Sequence, residues 1–540
     1  MIKAVRGTRD LLPPDTDLWN RVDAKVRELF ARYNYHEIRT PIFEDTQLFS
    51  RSVGEDTDIV SKEMFTWENG RPLALVLDRL WREGYEADGK QQQGFGQRYE
   101  NLTPHEPEVG DFDYEGVREG VQHIILIRAQ ADSNAVQLIG QHRRELEIPG
   151  LAKPRFVLAV PASEEKRARS ILPLDVELQL IQIPPWLRRP ESLTLRPENT
   201  AGVVRAYIEH GFDKKGTLQK LYYIGPQFRR ERPQKGRYRQ FFQIGAEIIG
   251  PPSAGSESPL RDAELLEMLA TLLDEVGLRS WQLQLNSVGC ADDRARYNKA
   301  LREALQPVVH QMCADCQRRA ETNPLRVLDC KVPEDQPIIE KLPRILQYLD
   351  EPCREHFAAV RAMLDAVGIA YTINERMVRG LDYYTRTTFE FTHGGLGAQS
   401  AVLGGGRYDG LSESLEGPKA PGIGFAIGED RLILALQSQG EAAVEKLQAY
   451  VAPLGAGMNV HALKLARELR RDGISADLGD ESFRLKKSFE LAEKAGAGFI
   501  VIVGENEVTA GQFAVKNLES GQQVQVPRAE LAAHLRHTQQ

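Results

Sequence analysis

The chain has 540 residues, of which 41% are hydrophobic and 27% charged, the balance of an ordinary soluble globular protein long enough for several domains. No apolar run approaches the roughly 20 residues that span a bilayer, and the opening MIKAVRGTRDLLPPD lacks the apolar stretch of a secretory signal, so a cytoplasmic protein without membrane contact is expected. A net charge of −8 excludes a simple polycation, but not nucleic acid, which is bound by local basic stripes rather than by whole-chain charge.

The first helix is expected from about Leu18 to Tyr33, where Leu18, Val22, Val26, Leu29 and Phe30 recur at helical spacing behind a cap at Asp15 or Thr16. YHEIRTPIFED then reads as a strand that Pro41 demotes to an edge or junction, and KEMFTWE (Lys62 to Glu68) as another. From about Asn69 to Pro190 the texture changes. A Gln/Gly-rich piece and an acidic piece, with Asp111, Asp113 and Glu115 read as an acidic loop, precede alternating runs. VQHIILIRA, RFVLAV and VELQLIQI read as strands, SNAVQLIGQHRREL and EEKRARSIL as helices, which suggests a small α/β unit without a chemical motif.

SLTLRPE, LYYIGPQFRRE and YRQFFQIGAEIIG follow as strands, DAELLEMLATLLDEVG as a helix and SWQLQLNSVG as a strand. Between the second and third of these strands, FRRERPQKGRYR (Phe228 to Arg239) is a basic stripe with one acid, Glu231, and Pro233 and Gly236 make it a loop. Residues 291–366 look mostly helical, RGLDYYTRTTFEFT is strand-like, VLGGGRYDGL is glycine-dense, and PGIGFAIGEDRLILAL runs from a strand into a helix. After a junction near Gly440 to Lys446, AYVAPLG, NVHALKLARELRRDG and FIVIVG form a separate α/β unit, with Ala462, Leu465, Ala466 and Leu469 on the helix's apolar face.

Five cysteines without an export signal argue against a disulfide framework. Cys313 and Cys316 form one C-x-x-C, but Cys330, Cys353 and His310 stand at loose spacings, so reduced structural thiols are expected and no metal ligand is assigned.

Chemistry concentrates in three clusters: TLRPE with Glu198; the basic stripe and strand with Arg229, Arg232, Arg237, Gln243 and Glu247; and RGLDYY, GGGRYDG and GIGFAIGEDR with Arg379, Tyr383, Tyr384, Tyr408 and Arg431. Arginine forks suit phosphate oxygens. Carboxylates suit a small cationic group, and glycines let a backbone approach a ligand closely. There is no GxxxxGK[ST] phosphate loop, and GIGFAIGED lacks the context of a dinucleotide fingerprint. The residues alone therefore reach an anion-binding multidomain enzyme.

In their order, these stretches resemble the histidyl-tRNA synthetases. RGTRDLLP resembles that family's opening, YHEIRTPIFED the first class II motif, which forms a dimer interface, YYIGPQFRRERPQKGRYRQFFQIGAE the second motif and GIGFAIGEDRLILAL the third. MVRGLDYYTRTTFE and LGGGRYDGL resemble the two stretches peculiar to the histidine enzyme, and the likeness covers Met1 to Glu68 and Glu191 to the end. It implies an α+β fold: a class II antiparallel sheet with flanking helices, a C-terminal α/β anticodon-binding domain, and an inserted small α/β module. The implied division is a catalytic domain over 1–68 and 191–440 with a mostly helical part near 291–366, an insert over 69–190 at a hairpin tip, and an anticodon-binding domain over 447–540.

The resemblance also implies a homodimer acting on L-histidine, ATP with Mg²⁺, and tRNA(His), through a histidyl-adenylate. Arg229 and Arg379 would be the catalytic residues; Arg229, Arg232, Arg237 and Arg431 would hold ATP. Glu198, Thr200, Gln243, Glu247, Arg379, Tyr383, Tyr384 and Tyr408 would hold histidine, and Arg484, Lys486 and Lys487 could meet tRNA phosphates. Two rivals are a synthetase inactivated by its insert and a non-catalytic relative that regulates ATP phosphoribosyltransferase. Such regulators usually lose the anticodon domain and erode the arginines, whereas Arg229, Arg379, Arg431 and a C-terminal α/β unit are present here.

Overall fold

The computed structural model describes residues 2–54, 57, 59–69, 100–104, 112–118, 121–128, 131, 133–145, 153–181, 191–234, 236–377, 383–397, 400–440 and 447–537. The chain divides into two compact units: Met1–Asp10 with Asp23–Gln439, and Leu11–Val22 with Gly440–Gln540. None of the described helices is long and apolar enough to cross a membrane.

The first unit is built on an eight-stranded sheet. In spatial order its strands are His36–Glu37, Gln219–Phe228, Gln240–Ile249, Gly422–Gly428, Ala401–Arg407, Thr385–His393, Trp281–Ser287 and Tyr371–Ile373. The central pairs are antiparallel, and only the two short outer strands run parallel to their neighbours. Two helices, Pro259–Glu275 and Glu351–Ala366, pack against each other. The first starts where Ser258 accepts the Leu260 N–H and Pro259 takes the first helical position, and it buries Leu265, Leu266, Met268, Leu269, Leu272 and Leu273. The sheet, helices and the Pro41 break between His36–Glu37 and Phe43–Asp45 agree with the sequence reading.

Three details differ. Lys62 and Glu63 belong to a π-helical turn, Ile59–Glu63, so the strand starts only at Phe65. The strand Glu191–Leu195 ends before Arg196, so Glu198 is not on a strand but precedes an unforeseen helix, Thr200–Glu209. Asp113 and Glu115 lie on the strand Phe112–Arg118 rather than in a loop, and Asp111 lies outside the described residues.

The described residues of the insert form a five-stranded sheet in the order Glu100–Pro104, Phe112–Arg118, Val121–Ile127, Arg155–Pro161, Val176–Ile181, of which the last three are parallel. The helices Ser133–Glu145 and Glu165–Ile171 make the crossovers that parallel pairing requires. Ile124, Leu126, Ile139, Phe156, Leu158 and Val160 supply its own core. Where the insert leaves the catalytic chain, Phe65–Asn69 and Glu191–Leu195 are antiparallel and Asn69 stands opposite Glu191. The two ends of the module are thus neighbours on a hairpin ladder, an arrangement that closes a long excursion at low entropic cost.

In the second unit, strands order as Ala476–Leu478, Ala449–Leu454, Phe499–Gly504, Gln512–Asn517, Gln523–Pro527, the first three parallel. Ala462, Leu465, Ala466 and Leu469 of the helix Met458–Arg471 are buried in its core. The junction residues 441–446 lie outside the described residues.

Candidate active site

Antiparallel register puts a particular set of side chains on one face of the main sheet. Gln243 pairs with Gly428, Gly245 with Ala426 and Glu247 with Gly424. On the next strand Gly404 pairs with Ala426 and Gly406 with Gly424. Opposed residues share a face, so Gln243 and Glu247 stand beside a floor of glycine and alanine. The glycines of GGGR and GIGFAIG thus lie on the strands Ala401–Arg407 and Gly422–Gly428, the latter as expected, and leave space over the sheet. A Cβ at Gly424 would overlap the Glu247 carboxylate.

Above that floor is one cleft with two lobes. A small lobe of about 140 Å³ is lined by Glu198, Thr200, Tyr223, Tyr383, Tyr384 and Tyr408. A larger lobe of about 490 Å³ is lined by Arg229, Arg237, Arg431, Glu231, Phe241, Asp329, Lys331, Glu390 and Asp430, among others. Arg229, Gln243, Gly404 and Ala426 line both lobes. Among the described residues, none of the insert lines either.

The small lobe is lined by buried carboxyl and hydroxyl groups. Glu198 accepts the N–H groups of Thr200 (2.8 Å) and Ala201 (3.0 Å), so its carboxylate caps the helix Thr200–Glu209. The Thr200 hydroxyl donates to Glu247 Oε1 at 2.7 Å. Burial, above all, pushes the Glu247 carboxyl up to about 8; hydrogen bonding from Thr200 and Tyr408 pulls it down and the Glu198 charge pushes it further up. Burial also raises Glu198, opposed by the Ala201 and Thr200 N–H groups and by Arg229. Burial holds Tyr223, Tyr383 and Tyr408 as neutral hydroxyls, with nearby carboxylates reinforcing it. Glu247 Oε2, Gln243 Oε1 and the hydroxyls of Tyr223 and Tyr408 are buried without a well-formed hydrogen bond. Native interiors rarely leave such groups unsatisfied, and their convergence marks a place for a polar ligand.

The larger lobe sets four cations, Arg229, Arg237, Arg431 and Lys331, beside four acids, Glu231, Asp329, Glu390 and Asp430. Arg229 Nε donates to the Pro197 carbonyl at 2.9 Å, and its guanidinium lies 5.2 Å from the Phe241 ring centre, which fixes the fork at the junction of the lobes. Arg431 Nε donates to the Ala401 carbonyl at 2.8 Å. Its pKa is lowered first by burial and next by the Arg237 charge, so two cations of this lobe repel each other. Arg237 is held by Glu231 at 3.0 Å, on a tight turn where Gln234 bridges Arg237. Gly236 makes that turn at φ +77°, where a Cβ would also meet Leu434. Asp430 accepts from Arg9 (2.7 Å) and from the Phe242 N–H (3.0 Å), which ties RGTRD to the third motif.

Of the residues singled out in sequence, Glu198, Thr200, Gln243, Tyr383, Tyr384, Tyr408, Arg229, Arg237 and Arg431 line the cleft, and Glu247 touches it through Thr200 and Gly424. Arg232 instead lines an adjoining cavity with Glu63, Pro233 and Arg237. Arg379 lies outside the described residues. Tyr223, Phe241, Glu231, Glu390 and Asp430 were missed. Alternation from Gln243 and Glu247 across the hairpin could have found Tyr223, which pairs with Gly245 on the same face.

Comparison with known proteins covers both units. A family model described as histidyl-tRNA synthetase matches residues 174–432, and one described as anticodon binding domain matches residues 448–538. A histidine–tRNA ligase of Koribacter versatilis is 59% identical, over 99% of this chain and 96% of that protein. One of Solibacter usitatus is 46% identical, over 99% of both chains. Among solved structures, the apo histidyl-tRNA synthetase of S. aureus superposes with a TM-score of 0.62 at 30% identity, covering 99% of this chain and 100% of that one.

Proposed function

The chain belongs to the histidyl-tRNA synthetase family, and from that premise we propose that it charges tRNA(His) with L-histidine through a histidyl-adenylate, releasing pyrophosphate and then AMP. The observation that carries this reading is the junction of the lobes: Arg229 and Gln243 line at once a pocket of buried carboxyl and hydroxyl groups and one that gathers three arginines.

Histidine occupies the small lobe. Glu198, Thr200, Gln243 and Glu247 surround its α-amine and ring, and Tyr383, Tyr384 and Tyr408 line the imidazole. ATP occupies the large lobe, with Arg229 on the α-phosphate, Arg431 at the γ end, and Arg237 and Arg232 in the loop that faces ATP and the tRNA acceptor end. Arg379, by family resemblance, stands beside the substrate carboxylate and α-phosphate. A carboxylate oxygen of histidine attacks the α-phosphorus, and the bond to the bridging oxygen of pyrophosphate breaks. The terminal ribose hydroxyl of tRNA then attacks the activated carbonyl, and AMP leaves. The protein aligns the reactants and offsets charge on the α-phosphate. Glu390 and Asp329 give the large lobe the hard oxygen donors that Mg²⁺ takes. Bound with ATP, Mg²⁺ would screen the pyrophosphate. Selection follows from buried polar partners, which an isosteric amino acid without ring nitrogens would leave unsatisfied.

The division into a catalytic domain over 1–68 and 191–440, an insert over 69–190 and an anticodon-binding domain over 447–540 is part of the proposal, as are a cytoplasmic location and a homodimer. The exposed Ile42, Phe43 and Trp67, with Phe43 and Trp67 rings 6.1 Å apart, support an interface at the first motif. In the C-terminal unit, Arg484, Lys486 and Lys487 are exposed at the start of the helix Leu485–Lys494, suited to tRNA phosphates. The test is ATP–pyrophosphate exchange followed by charging of tRNA(His). Exchange that requires histidine, with charging of that tRNA, is expected; a folded protein inert in exchange, or active with another amino acid, overturns the proposal.

A further inference from the structure

The helical part of the first unit brings together three thiols and a carboxylate that the cleft does not use. Cys313 precedes the helix Ala314–Thr322 and Cys316 lies in its first turn. Cys330 follows the turn Pro324–Asp329, and Asp335 ends the turn Pro333–Asp335. One donor atom from each of the four lies within 4.8 Å of all the others. Cys313 Sγ is 3.9 Å from Cys330 Sγ, and Cys330 Sγ is 3.1 Å from Asp335 Oδ2.

Zinc takes thiolate sulfur at about 2.3 Å and carboxylate oxygen at about 2.0–2.2 Å in a tetrahedron. Those bond lengths imply edges of about 3.8 Å between sulfurs and about 3.5 Å from sulfur to oxygen. The Cys313–Cys330 separation of 3.9 Å matches its edge, the Cys330–Asp335 separation of 3.1 Å is about 0.4 Å short, and the other donors lie within 4.8 Å, so modest side-chain adjustment would let an ion fit. The backbone already supports the donors: the Cys313 N–H donates to Asp335 Oδ1 at 3.0 Å and the Val332 N–H to Cys330 Sγ at 3.4 Å. Cys316, Cys330 and Asp335 are buried, as a closed structural site requires.

A second group nearby shows what a mere cluster looks like. Cys290, Asp293, Asp350 and Cys353 also lie within 4.8 Å of one another. There the carboxylates are committed to helix starts: Asp293 accepts the N–H groups of Cys290 (3.1 Å) and Asp350 (2.9 Å), and Asp350 accepts that of Cys353 (2.9 Å). Asp335 likewise accepts the Cys313 N–H, so what separates the groups is the donor set: two thiols here against three there, and soft thiolates are what select zinc.

We infer that Cys313, Cys316, Cys330 and Asp335 bind a zinc ion with a structural role, against the expectation of reduced thiols drawn from sequence. The site bears on the cleft, because Cys330 stands between Asp329 and Lys331, both of which line the larger lobe. The ion pins that edge of the lobe through its neighbour in the chain, which makes Cys330 a positioning residue. This kinetic consequence rests on the nucleotide assignment of the lobe, whereas metal content does not, so the two can fail separately.

The test uses the full chain, purified in reductant without chelator. Elemental analysis is expected to find one zinc per chain, retained through dialysis. Cobalt exchanged into the protein is expected to show thiolate-to-cobalt charge transfer and the intense d–d bands of a tetrahedral site. Cys316→Ser and Cys330→Ser should lose the metal, and Cys353→Ser should keep it. Because the serine variants could misfold, Asp335→Asn, which retains all three thiols, provides a second measure: it should release zinc to a chelator faster and shift the cobalt bands. Zinc withdrawal should raise KM for ATP severalfold with KM for histidine nearly unchanged. Folded wild type without zinc, cobalt without thiolate bands, a Cys313–Cys330 disulfide in place of metal, or equal metal loss from Cys353→Ser overturns the site. Bound zinc whose removal leaves KM for ATP unchanged overturns its link to the cleft.

Discussion

The two lobes of the cleft meet at Arg229 and Gln243 yet present opposite chemistry. The small lobe buries carboxylates and tyrosine hydroxyls; the large lobe gathers guanidiniums. A buried carboxyl lowers its cost by taking a proton, as the rise of Glu247 to about 8 shows. A guanidinium keeps its charge, and the repulsion between Arg431 and Arg237 is offset in part by Glu390 and Glu231, the latter paired with Arg237. The small lobe therefore holds a carboxyl, Glu247, whose charge appears when a cation binds, and the large lobe holds arginines that are always charged. The first suits selection, the second catalysis.

Substitutions should divide along that line. The largest effect is expected for Arg229→Gln at the junction. Losing one preorganised charge on the α-phosphate should slow pyrophosphate exchange by about 10²–10³-fold, on the order of 3–4 kcal/mol. Direct titration should show histidine affinity much less affected. An equal loss in both measurements would erase the distinction between the lobes.

Glu247→Gln comes next and should raise KM for histidine on the order of tenfold to a hundredfold, the range for a hydrogen bond to a charged group. With the free carboxyl titrating at about 8, binding of the cationic amine expels a proton below that pH. KM for histidine in the wild type should fall as pH rises from neutrality toward 8, and the variant should lack that slope. The same raised pKa gives a stability contribution that is present below the carboxyl's unfolded pKa and lost as pH climbs through about 8. Chemical denaturation across that window should therefore show a flatter curve for Glu247→Gln.

Gly424→Ala should reproduce part of this loss without changing any charge, because its methyl would displace the Glu247 carboxylate. KM for histidine should rise while KM for ATP stays near wild type. A variant that impaired both substrates equally would place Glu247 outside the amino-acid site.

Much of this arrangement was legible in sequence, and what was not has identifiable causes. The strand hairpin around the basic stripe follows from alternating apolar residues interrupted by Pro233 and Gly236. Glu198 was assigned to a strand because the pattern of SLTLRPE continues into it. In fact the chain leaves the sheet after Leu195, and the carboxylate caps a helix whose Gly202, Val203 and Val204 have poor helical propensity. The GGG stretch was legible only as glycine-dense, because period-two alternation has no meaning without side chains; only register shows it to be a floor. Cys330 and Asp335 reach Cys313 and Cys316 through short 3₁₀ turns, whose path has no periodic signal. The insert's three parallel strands and two helices were readable from their runs, but its strands Glu100–Pro104 and Phe112–Arg118, polar and acidic, were not, and its attachment is clear only from the pairing of Asn69 with Glu191.

That pairing makes the insert the place of smallest expected effect. Replacing its residues by a tight turn that joins the two strands should leave both KM values and the exchange rate near wild type. A change beyond about tenfold, some 1.4 kcal/mol of transition-state stabilisation, would mean that the module supports the strand leading to Glu198.

The continuity of the two lobes is tested most directly by titrating the protein with a non-hydrolysable sulfamoyl analogue of histidyl-adenylate. Wild type should bind it far more tightly than histidine or ATP alone, and both Glu247→Gln and Arg229→Gln should weaken it. An analogue that binds no tighter than its separate halves, or that responds to only one of these substitutions, would contradict a single cleft shared by amino acid and nucleotide.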